Sequence, residues 1–471
     1  MCTILKMTRN VVHIYTREID FNLELDIEFL GIRMLTGTAK ELLWENNHTE
    51  KNDSPHLAIV IQNQLELFES VTDGMAYSRP RLLIAFGVLS YFTQQIFTPF
   101  ETYASSSYVG KFDKECKNRF IFKETELIED YIQFETIIKY HKDKEFIYSL
   151  LDRWRKGLYM ETESEDNMIY DDETLISYFH ILELLTTKYE DKQKKELKDK
   201  IKDFSKSIFE ESFLFEGNQL KSEINAKSKI IEGLLLPDLS VSSKIFYIFK
   251  EQGILTYRLK SFITNFVKDR NSVAHGRQVY QDRVIFPVPP FFPLIKNRDY
   301  PEEFYRILTA KAIANFIGVN LYSQEWDEMS QSIIPSFDEL REFQREKKYL
   351  ELTNQDFCDG KENDITPFVV SHYLISKKLK AEEALEILTP FINNYNKTED
   401  ETMMSIWAII IILDLLEEGE LKEKCIEIIK IAEKNNWHPN YFKMRDEMYK
   451  LEYFGFEING LKDLIRKKEI R

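Results

Sequence analysis

The first part of the chain shows two different patterns of apolar and polar positions. Within Val11–Leu35, β-branched and aromatic residues partly alternate with polar ones, as in Phe21–Leu25. Because successive side chains of a strand point to opposite faces, this alternation predicts a small sheet at the start of the chain. Within Leu57–Phe100 the apolar spacing instead predicts helix, with breaks near Gly74 and Pro80.

Four segments between the apolar patterns predict loops. Glu45–Ser54 is polar, and Tyr103–Gly110 is a connector rich in serine and tyrosine. Glu161–Glu173 is dense in carboxylates but holds no histidine and no glycine-punctuated calcium loop, so it predicts a solvated loop and not a metal site. Phe286–Pro293 is rich in proline, which lacks an N–H donor, so it predicts neither regular helix nor a central strand.

The remaining apolar patterns predict helices. Glu124–Tyr159 is typical of one or two helices, and Glu173–Tyr322 of a longer helical block. Apolar helices then recur to the end of the chain without a fixed period, like the paired helices of a solenoid. These helices are predicted at Phe368–Leu374, Glu382–Phe391, Met403–Leu416, Leu421–Ala432 and Tyr441–Phe454.

Composition agrees with a mainly helical protein of several domains. The 471 residues are too many for one compact core, and 43% of them are hydrophobic. Glycine and proline are few, with 15 and 13 occurrences, which favours helix over loops. The formal charge of -16 argues against a protein that coats nucleic acid by bulk attraction. A pocket for one or two phosphates needs only a few basic groups, so a nuclease stays compatible with that charge.

Cysteine spacing and apolar runs restrict the function further. Cys2, Cys116, Cys358 and Cys425 lie far apart, so no pair of thiolates is expected to share a metal. The start of the chain shows no secretory signal, and the apolar run Ile406–Leu413 is shorter than the roughly 20 residues that span a bilayer. We therefore expect a cytoplasmic protein with no membrane partner, no cofactor and no metal.

One helix end carries the residues with the strongest chemical signal. Leu259, Phe262, Ile263 and Phe266 form an apolar stripe, and Arg270 falls in line with it. A guanidinium on such a stripe costs several kcal/mol unless it is paired or faces a polar cleft. Gly276 is a suitable C-terminal cap, which places His275 in the last turn, near the surface.

The run Arg270–Gly276, with the letters RNSVAHG, resembles the terminal motif of HEPN domains. In that family an arginine, the polar residue beside it and a histidine after a short gap form a ribonuclease active site. The segment Tyr178–Leu185 resembles the earlier helix of the Apea-like HEPN group, in which a glutamate lies close to the arginine; here that residue is Glu183. The resemblance covers about Tyr170–Tyr322.

The resemblance implies metal-independent cleavage of RNA at a cleft shared by two copies of the domain. His275 is then the general base or acid on the ribose 2′-hydroxyl and the leaving oxygen, and Arg270 holds the phosphate. Asn271 binds phosphate or orients His275, and Glu183 pairs with Arg270 and fixes its direction. Proteins with this resemblance commonly act in microbial conflict, as antiviral (anti-phage) or toxin-like effectors.

The sequence thus predicts a mainly α fold: a HEPN-type helical bundle with a small N-terminal α+β region and a C-terminal helical-repeat-like domain. We expect RNA as the substrate, a homodimer or higher homo-oligomer formed through the HEPN domain, and a protein or phage-derived trigger sensed by the flanking domains. The predicted boundaries are 1–110 for the mixed region, 111–169 for a helical connector, 170–325 for the HEPN-like domain, 326–363 for a linker and 364–471 for the C-terminal helices.

Two other functions fit the same residues. Arg270 and Glu183 could be a buried ion pair and His275 a helix-capping residue, in a non-catalytic module for dimerisation and interaction. The domain could also bind RNA without cutting it. Other histidines are weaker candidates, because His13 follows Arg9 after too short a gap in a strand-like context and His180 lies on an apolar helix.

Overall fold

The structure is a computed structural model. It describes residues 8–38, 41–42, 54–101, 104–165, 168–237, 239–276, 290–291, 294, 300–395, 408–409, 411–413, 415–416 and 419–434, together with residues 452, 455, 459 and 462. The chain packs into two units. Unit 1 holds Met1–Asp166, Tyr170–Leu255 and Tyr300–Met329, and unit 2 holds Asn167–Ile169, Thr256–Asp299 and Ser330–Arg471. The predicted domain boundaries stay a prediction.

Unit 1 begins with a seven-stranded sheet in which all neighbouring strands run antiparallel, in the order β5-β1-β4-β3-β2-β6-β7. The sheet predicted from Val11–Leu35 is confirmed. Leu30 and Gly31 both have positive φ, 49° and 81°, as the two central residues of a tight hairpin turn require. The strands are β1 (Thr8–Glu18), β2 (Leu23–Phe29), β3 (Ile32–Thr38), β4 (Pro55–Glu66), β5 (Ala104–Val109), β6 (Arg119–Phe122) and β7 (Thr125–Glu126).

Two predictions for the first 110 residues were wrong. The stretch expected to start a helix at Leu57 is β4, which lies between β1 and β3 and is apolar on both faces, so its pattern mimics a buried helix. The serine-rich connector is largely β5, which completes the edge of the sheet by pairing with β1. The predicted loop Glu45–Ser54 lies outside the described residues except for Ser54.

Helix α1 (Val71–Thr93) continues through both predicted breaks. Ser70 caps its first turn, where the Ser70 hydroxyl accepts from the Asp73 backbone N–H and the Asp73 carboxylate accepts from the Ser70 N–H. Position 74 of this helix is a glycine because a Cβ there would lie 2.6 Å from His13 Nε2. Close packing on β1 thus explains a glycine that looks like a helix break in the sequence.

The other helices of unit 1 surround a core of large aromatic side chains, among them Tyr91, Phe134, Trp154 and Tyr178. The helices predicted in Glu124–Tyr159 are confirmed. The acidic loop predicted at Glu161–Glu173 was wrong at both ends, because α3 continues to Ser164 and α4 begins at Asp171. They are α2 (Ile128–Tyr140), α3 (Lys144–Ser164), α4 (Asp171–Ser207), α5 (Gly217–Leu235), α6 (Val241–Glu251), α8 (Glu302–Ile317) and α9 (Ser323–Gln331).

Unit 2 contains the site helix α7 (Tyr257–Ala274) and a second apolar core, built mainly by the helices after residue 336. The described part confirms helices at Phe368–Leu374, Glu382–Phe391 and Leu421–Ala432. Half of Met403–Leu416, six of the eight residues of Phe286–Pro293 and almost all of Tyr441–Phe454 lie outside it. The helices are α10 (Phe337–Arg345), α11 (Asn354–Cys358), α12 (Pro367–Ile375), α13 (Ala381–Asn393) and α14 (Glu420–Lys434).

The fold is mainly α with a small N-terminal antiparallel sheet, as the sequence predicts. The segment 326–363 that was predicted to be a linker holds α10 and α11, and Leu340, Phe343 and Phe357 bury their side chains in the core of unit 2. Within the described ranges, the chain has no helix both long enough and apolar enough to cross a membrane.

Candidate functional site

The site helix α7 begins at a side-chain cap and buries the predicted apolar stripe. The Thr256 hydroxyl accepts a hydrogen bond from the Leu259 backbone N–H at 3.0 Å, which satisfies one of the free donors of the first turn. The buried residues of α7 are the four that the spacing predicted: Leu259, Phe262, Ile263 and Phe266. The apolar face of this helix could therefore be predicted from the sequence.

Arg258 fixes the first turn of α7 within unit 2. Its guanidinium lies 2.7 Å from an Asp364 carboxylate oxygen and 3.6 Å from one of Glu339, and it donates to the Asn363 carbonyl at 2.9 Å. Asn363 and Asp364 both have φ of 55°, so a tight left-handed turn presents these acceptors. The helix that carries the motif is thus held to α10 and to the turn before α12.

The motif residues lie at the C-terminal end of α7, where the sequence predicted them. His275 is the residue after the last helical one, its backbone N–H donates to the Asn271 carbonyl at 3.2 Å, and its side chain is exposed. Gly276 has a φ of 55°, the left-handed conformation that ends many helices. The imidazole is therefore open to solvent at a helix end.

Arg270 and Asn271 are in direct contact. An Arg270 guanidinium N–H donates to Asn271 Oδ1 at 3.1 Å, and both side chains are half-buried. Arg270 is therefore neither sealed in a dry interior nor fully extended into water. Asn271 Oδ1 is thus one acceptor for the Arg270 guanidinium at this helix end.

Glu183 lies on α4, in unit 1, whereas Arg270, Asn271 and His275 lie in unit 2. The Glu183 side chain is half-buried, and one of its oxygens lies 3.9 Å from Nε2 of His180. The structure thus brings together Arg270, Asn271 and the backbone of His275. The predicted pair between Glu183 and Arg270 stays a prediction.

A second polar cluster, in unit 1, was missed by the sequence reasoning because Glu161 was assigned to a loop. Arg306 Nε donates to one Glu161 oxygen at 3.1 Å, and the Tyr178 hydroxyl donates to the other at 2.5 Å. Burial raises the pKa of Glu161 above its usual range, and the Arg306 charge opposes that shift. The sequence gives only a weak indication of this cluster, because Glu161 and Arg306 are 145 residues apart.

A groove of about 1240 Å³ lies beside β2 and β3 in unit 1. Its charged residues are held by its own wall: Arg33 donates to Asp26 at 2.7 Å, Arg119 pairs with Glu24, and the Lys114 amine donates to the Glu41 carbonyl at 2.8 Å. These three cations of the groove are therefore already paired with groups of the groove itself.

Groups of three or more residues that could hold a metal ion are absent from the described part of the chain. Cys116, Cys358 and Cys425 are not in disulfide bonds, and Cys2 lies outside the described residues. Burial raises the pKa of Cys425 to about 12, so it stays a protonated thiol at neutral pH and is a poor nucleophile.

The chain was compared with protein-family models, with curated proteins and with solved structures, and none of the three comparisons finds a match.

Proposed function

We propose that the chain is a metal-independent RNA endonuclease of the HEPN type, active in the cytoplasm as a regulated antiviral or toxin-like effector. The observation that carries the proposal is the arrangement at the end of α7. There an exposed imidazole, a half-buried guanidinium and the amide that accepts from that guanidinium follow one another within a single helical turn and its cap. Cleavage of a phosphodiester requires groups of these kinds. The phosphate must be bound, the attacking hydroxyl must lose its proton and the leaving oxygen must gain one.

In the proposed reaction the His275 ring removes the proton of a ribose 2′-hydroxyl, and the 2′-oxygen attacks the adjacent phosphorus. The P–O5′ bond breaks, and the leaving oxygen takes a proton from an imidazolium, either the same ring or the ring of a second copy. Arg270 binds the non-bridging oxygens and stabilises the charge that develops on them. The products are a 2′,3′-cyclic phosphate and a 5′-hydroxyl, so DNA is not a substrate.

Asn271 has a positioning role in this scheme. Its Oδ1 accepts from Arg270, which limits the directions in which the guanidinium can point. Glu183 would restrain the same guanidinium through a charge-assisted hydrogen bond. We further propose that two copies associate through the HEPN domain and that the flanking regions receive a protein or phage-derived trigger. Control of this kind is physically sensible for a nuclease that can damage the RNA of its own cell.

The decisive experiment uses the full chain, a labelled RNA and EDTA. The parent protein is expected to cut the RNA and leave 2′,3′-cyclic phosphate ends, and His275→Ala or Arg270→Ala is expected to lower the rate by roughly 100-fold or more. Lys268→Ala is the matched control, because Lys268 is an exposed cation two positions before Arg270. Unfolding curves for all variants show whether each is still folded.

Each alternative predicts a different result in the same experiment. RNA binding that weakens steeply with salt, without new RNA ends, would assign the domain to RNA binding alone. Neither binding nor cleavage would leave a helical dimerisation and interaction module. Cleavage that survives both substitutions would remove Arg270 and His275 from the mechanism.

A further inference from the structure

The outward side of α7, opposite its apolar stripe, joins the first turn of the helix to the motif at its end. A helix turns by about 100° per residue, so two residues that are 18 positions apart are separated by five full turns. Tyr257 and His275 have this separation and therefore lie on the same side of α7. Thr264 lies between them on that side, and all three residues are exposed.

Tyr257 presents an open aromatic ring at the start of the outward side. Its side chain is 77% exposed. The Lys260 ammonium, one turn further along the helix, lies 4.9 Å from the centroid of the ring. A cation on one face of a ring leaves the other face for a planar group from solution. Proteins that bind single-stranded nucleic acid combine groups of these two kinds, since bases stack on aromatic rings and phosphates pair with cations.

The charge of α7 favours an anionic ligand on this side. The chain as a whole has a formal charge of -16, but α7 holds four cations and one acidic residue, Asp269. Asp269 is 12 positions after Tyr257, which places it about 120° around the helix from the outward side. Arg258 is already paired within unit 2, so Lys260 is the cation nearest to the Tyr257 ring that can meet a phosphate. A polyanion is attracted to a cationic surface of this kind.

The length of α7 matches a short single strand. The helix rises by about 1.5 Å per residue, so Tyr257 and His275 are about 27 Å apart along its axis. A stacked strand advances by about 3.4 Å per nucleotide, which gives about eight nucleotides over this length, and an extended strand needs fewer. Known sites for single strands cover about 4–16 nucleotides. One strand can therefore contact both ends of the outward side.

We propose that Tyr257 and Lys260 form a subsite for one nucleotide of single-stranded RNA, whose strand runs along the outward side of α7 to His275. The base stacks on the free face of the Tyr257 ring, and the adjacent phosphate pairs with Lys260. A base inside a duplex has its faces covered by neighbouring bases, so the subsite selects unpaired RNA. The inference rests on the proposed nuclease function and adds the form of RNA that the nuclease takes. It assigns contacts only at the two ends of the helix.

The test measures binding of a fluorescent RNA of about 12 nucleotides to the full chain carrying His275→Ala, which is expected to bind RNA without cutting it. Adding Tyr257→Ala is expected to weaken binding about tenfold, because one base–aromatic stack is lost. Adding Tyr257→Phe is expected to leave binding unchanged, because the ring is kept. Tyr140→Ala is the matched control. Tyr140 is 79% exposed and has the Lys139 ammonium 5.8 Å from its ring centroid, but it lies on α2, in unit 1.

Two further measurements separate the contacts. Lys260→Ala is expected to reduce the slope of log affinity against log salt by about 0.7, the value for one phosphate contact of a single strand. In the cleavage-competent chain, Tyr257→Ala is expected to raise KM for the same RNA about tenfold and to leave kcat unchanged, because the stack is present both before and during the reaction. A fall in kcat with an unchanged KM would contradict a binding subsite.

The binding results can overturn the inference independently of the cleavage assay. A His275→Ala chain that does not bind the RNA overturns it, as does unchanged binding after Tyr257→Ala. A loss of the same size for Tyr257→Phe or Tyr140→Ala overturns stacking at Tyr257. A parent protein that binds RNA through Tyr257 but never cuts it would refute the proposed function and leave the subsite standing. Cleavage by a chain whose binding ignores Tyr257 would do the reverse.

Discussion

Arg306 of α8 and Glu161 of α3 form an ion pair, with 3.1 Å between Nε and Oε1, inside unit 1. Tyr178 of α4 donates to the same carboxylate, so three helices meet at one acidic group. Both charged side chains are largely shielded from water, with 13% and 19% of their surface exposed. A charge with so little access to water is stabilised mainly by its counter-charge, because water cannot solvate it when the counter-charge is removed.

Arg306→Ala is therefore expected to destabilise unit 1 by about 3–5 kcal/mol, because it leaves the Glu161 carboxylate without its counter-charge. Urea unfolding followed by circular dichroism measures the change. Arg119→Ala is the control, since Arg119 pairs with Glu24 in a bridge whose side chains are 56% and 50% exposed. Exposed pairs contribute about 0–1 kcal/mol. Equal losses for the two variants would show that Glu161 does not depend on Arg306.

Gly157→Ala is expected to lower stability despite the higher helix propensity of alanine. A Cβ at Gly157 of α3 would approach the Tyr178 ring to 2.6 Å, and such overpacking costs about 1–3 kcal/mol. The matched control is Gly233→Ala in α5, where nothing lies within 4 Å of the added atom and propensity predicts a gain of up to about 1 kcal/mol. Thermal unfolding of both variants gives the signs. A gain from both would contradict the close packing of α3 on α4.

The stability of unit 1 is expected to decrease as the pH falls below about 6.5, in part because of His13. Burial lowers the pKa of the His13 ring from its ordinary value of 6.5. The unfolded chain then binds a proton at a higher pH than the folded one, so the contribution of the neutral ring is present above that value and is lost on acidification. Comparing unfolding free energies at pH 8 and pH 5 for the parent and His13→Gln isolates the effect. Parallel pH profiles would refute it.

Asn271→Ala is expected to reduce RNA cleavage about tenfold without abolishing it, because Arg270 loses the acceptor that restrains it but keeps its charge. The rate is measured with the labelled RNA used for His275→Ala. Ser272→Ala is the neighbouring control, since the Ser272 hydroxyl donates to the Lys268 carbonyl within the helix and lies outside the proposed mechanism. A loss as large for Ser272→Ala as for Asn271→Ala would point to general damage to the helix end.

The site helix could be predicted from the sequence because its signals are local. Leu259, Phe262 and Phe266 repeat with helical spacing, and Gly276 supplies the left-handed residue that ends the helix. The relation between Arg270 and Glu183 could not be predicted in this way. It depends on how segments far apart in the chain are packed, and no periodicity within one helix records that.

The errors in the first half of the chain have the same origin. The apolar run from Leu57 forms strand β4, which pairs with β1 along one edge and with β3 along the other. Its side chains are apolar on both faces of the sheet. A run of this kind has no alternation of apolar and polar residues that would distinguish a strand from a helix. Glu161 resembles a solvated loop residue because its counter-charge, Arg306, is remote in the chain. Gly74 resembles a helix break because the His13 ring that excludes a side chain there lies on strand β1, about 60 residues earlier in the chain.

Helix α4 runs unbroken for 37 residues, which corresponds to about 55 Å. The first half of this rod buries Tyr178 and Leu182 in the core of unit 1, whereas after Leu185 the buried residues are Gln193, Ile201 and Ser205. A tilt of the rod by about 5° around one end would displace the far end by roughly 5 Å. A small rotation of the buried half within the core therefore becomes a displacement of several ångström at the exposed end of the helix.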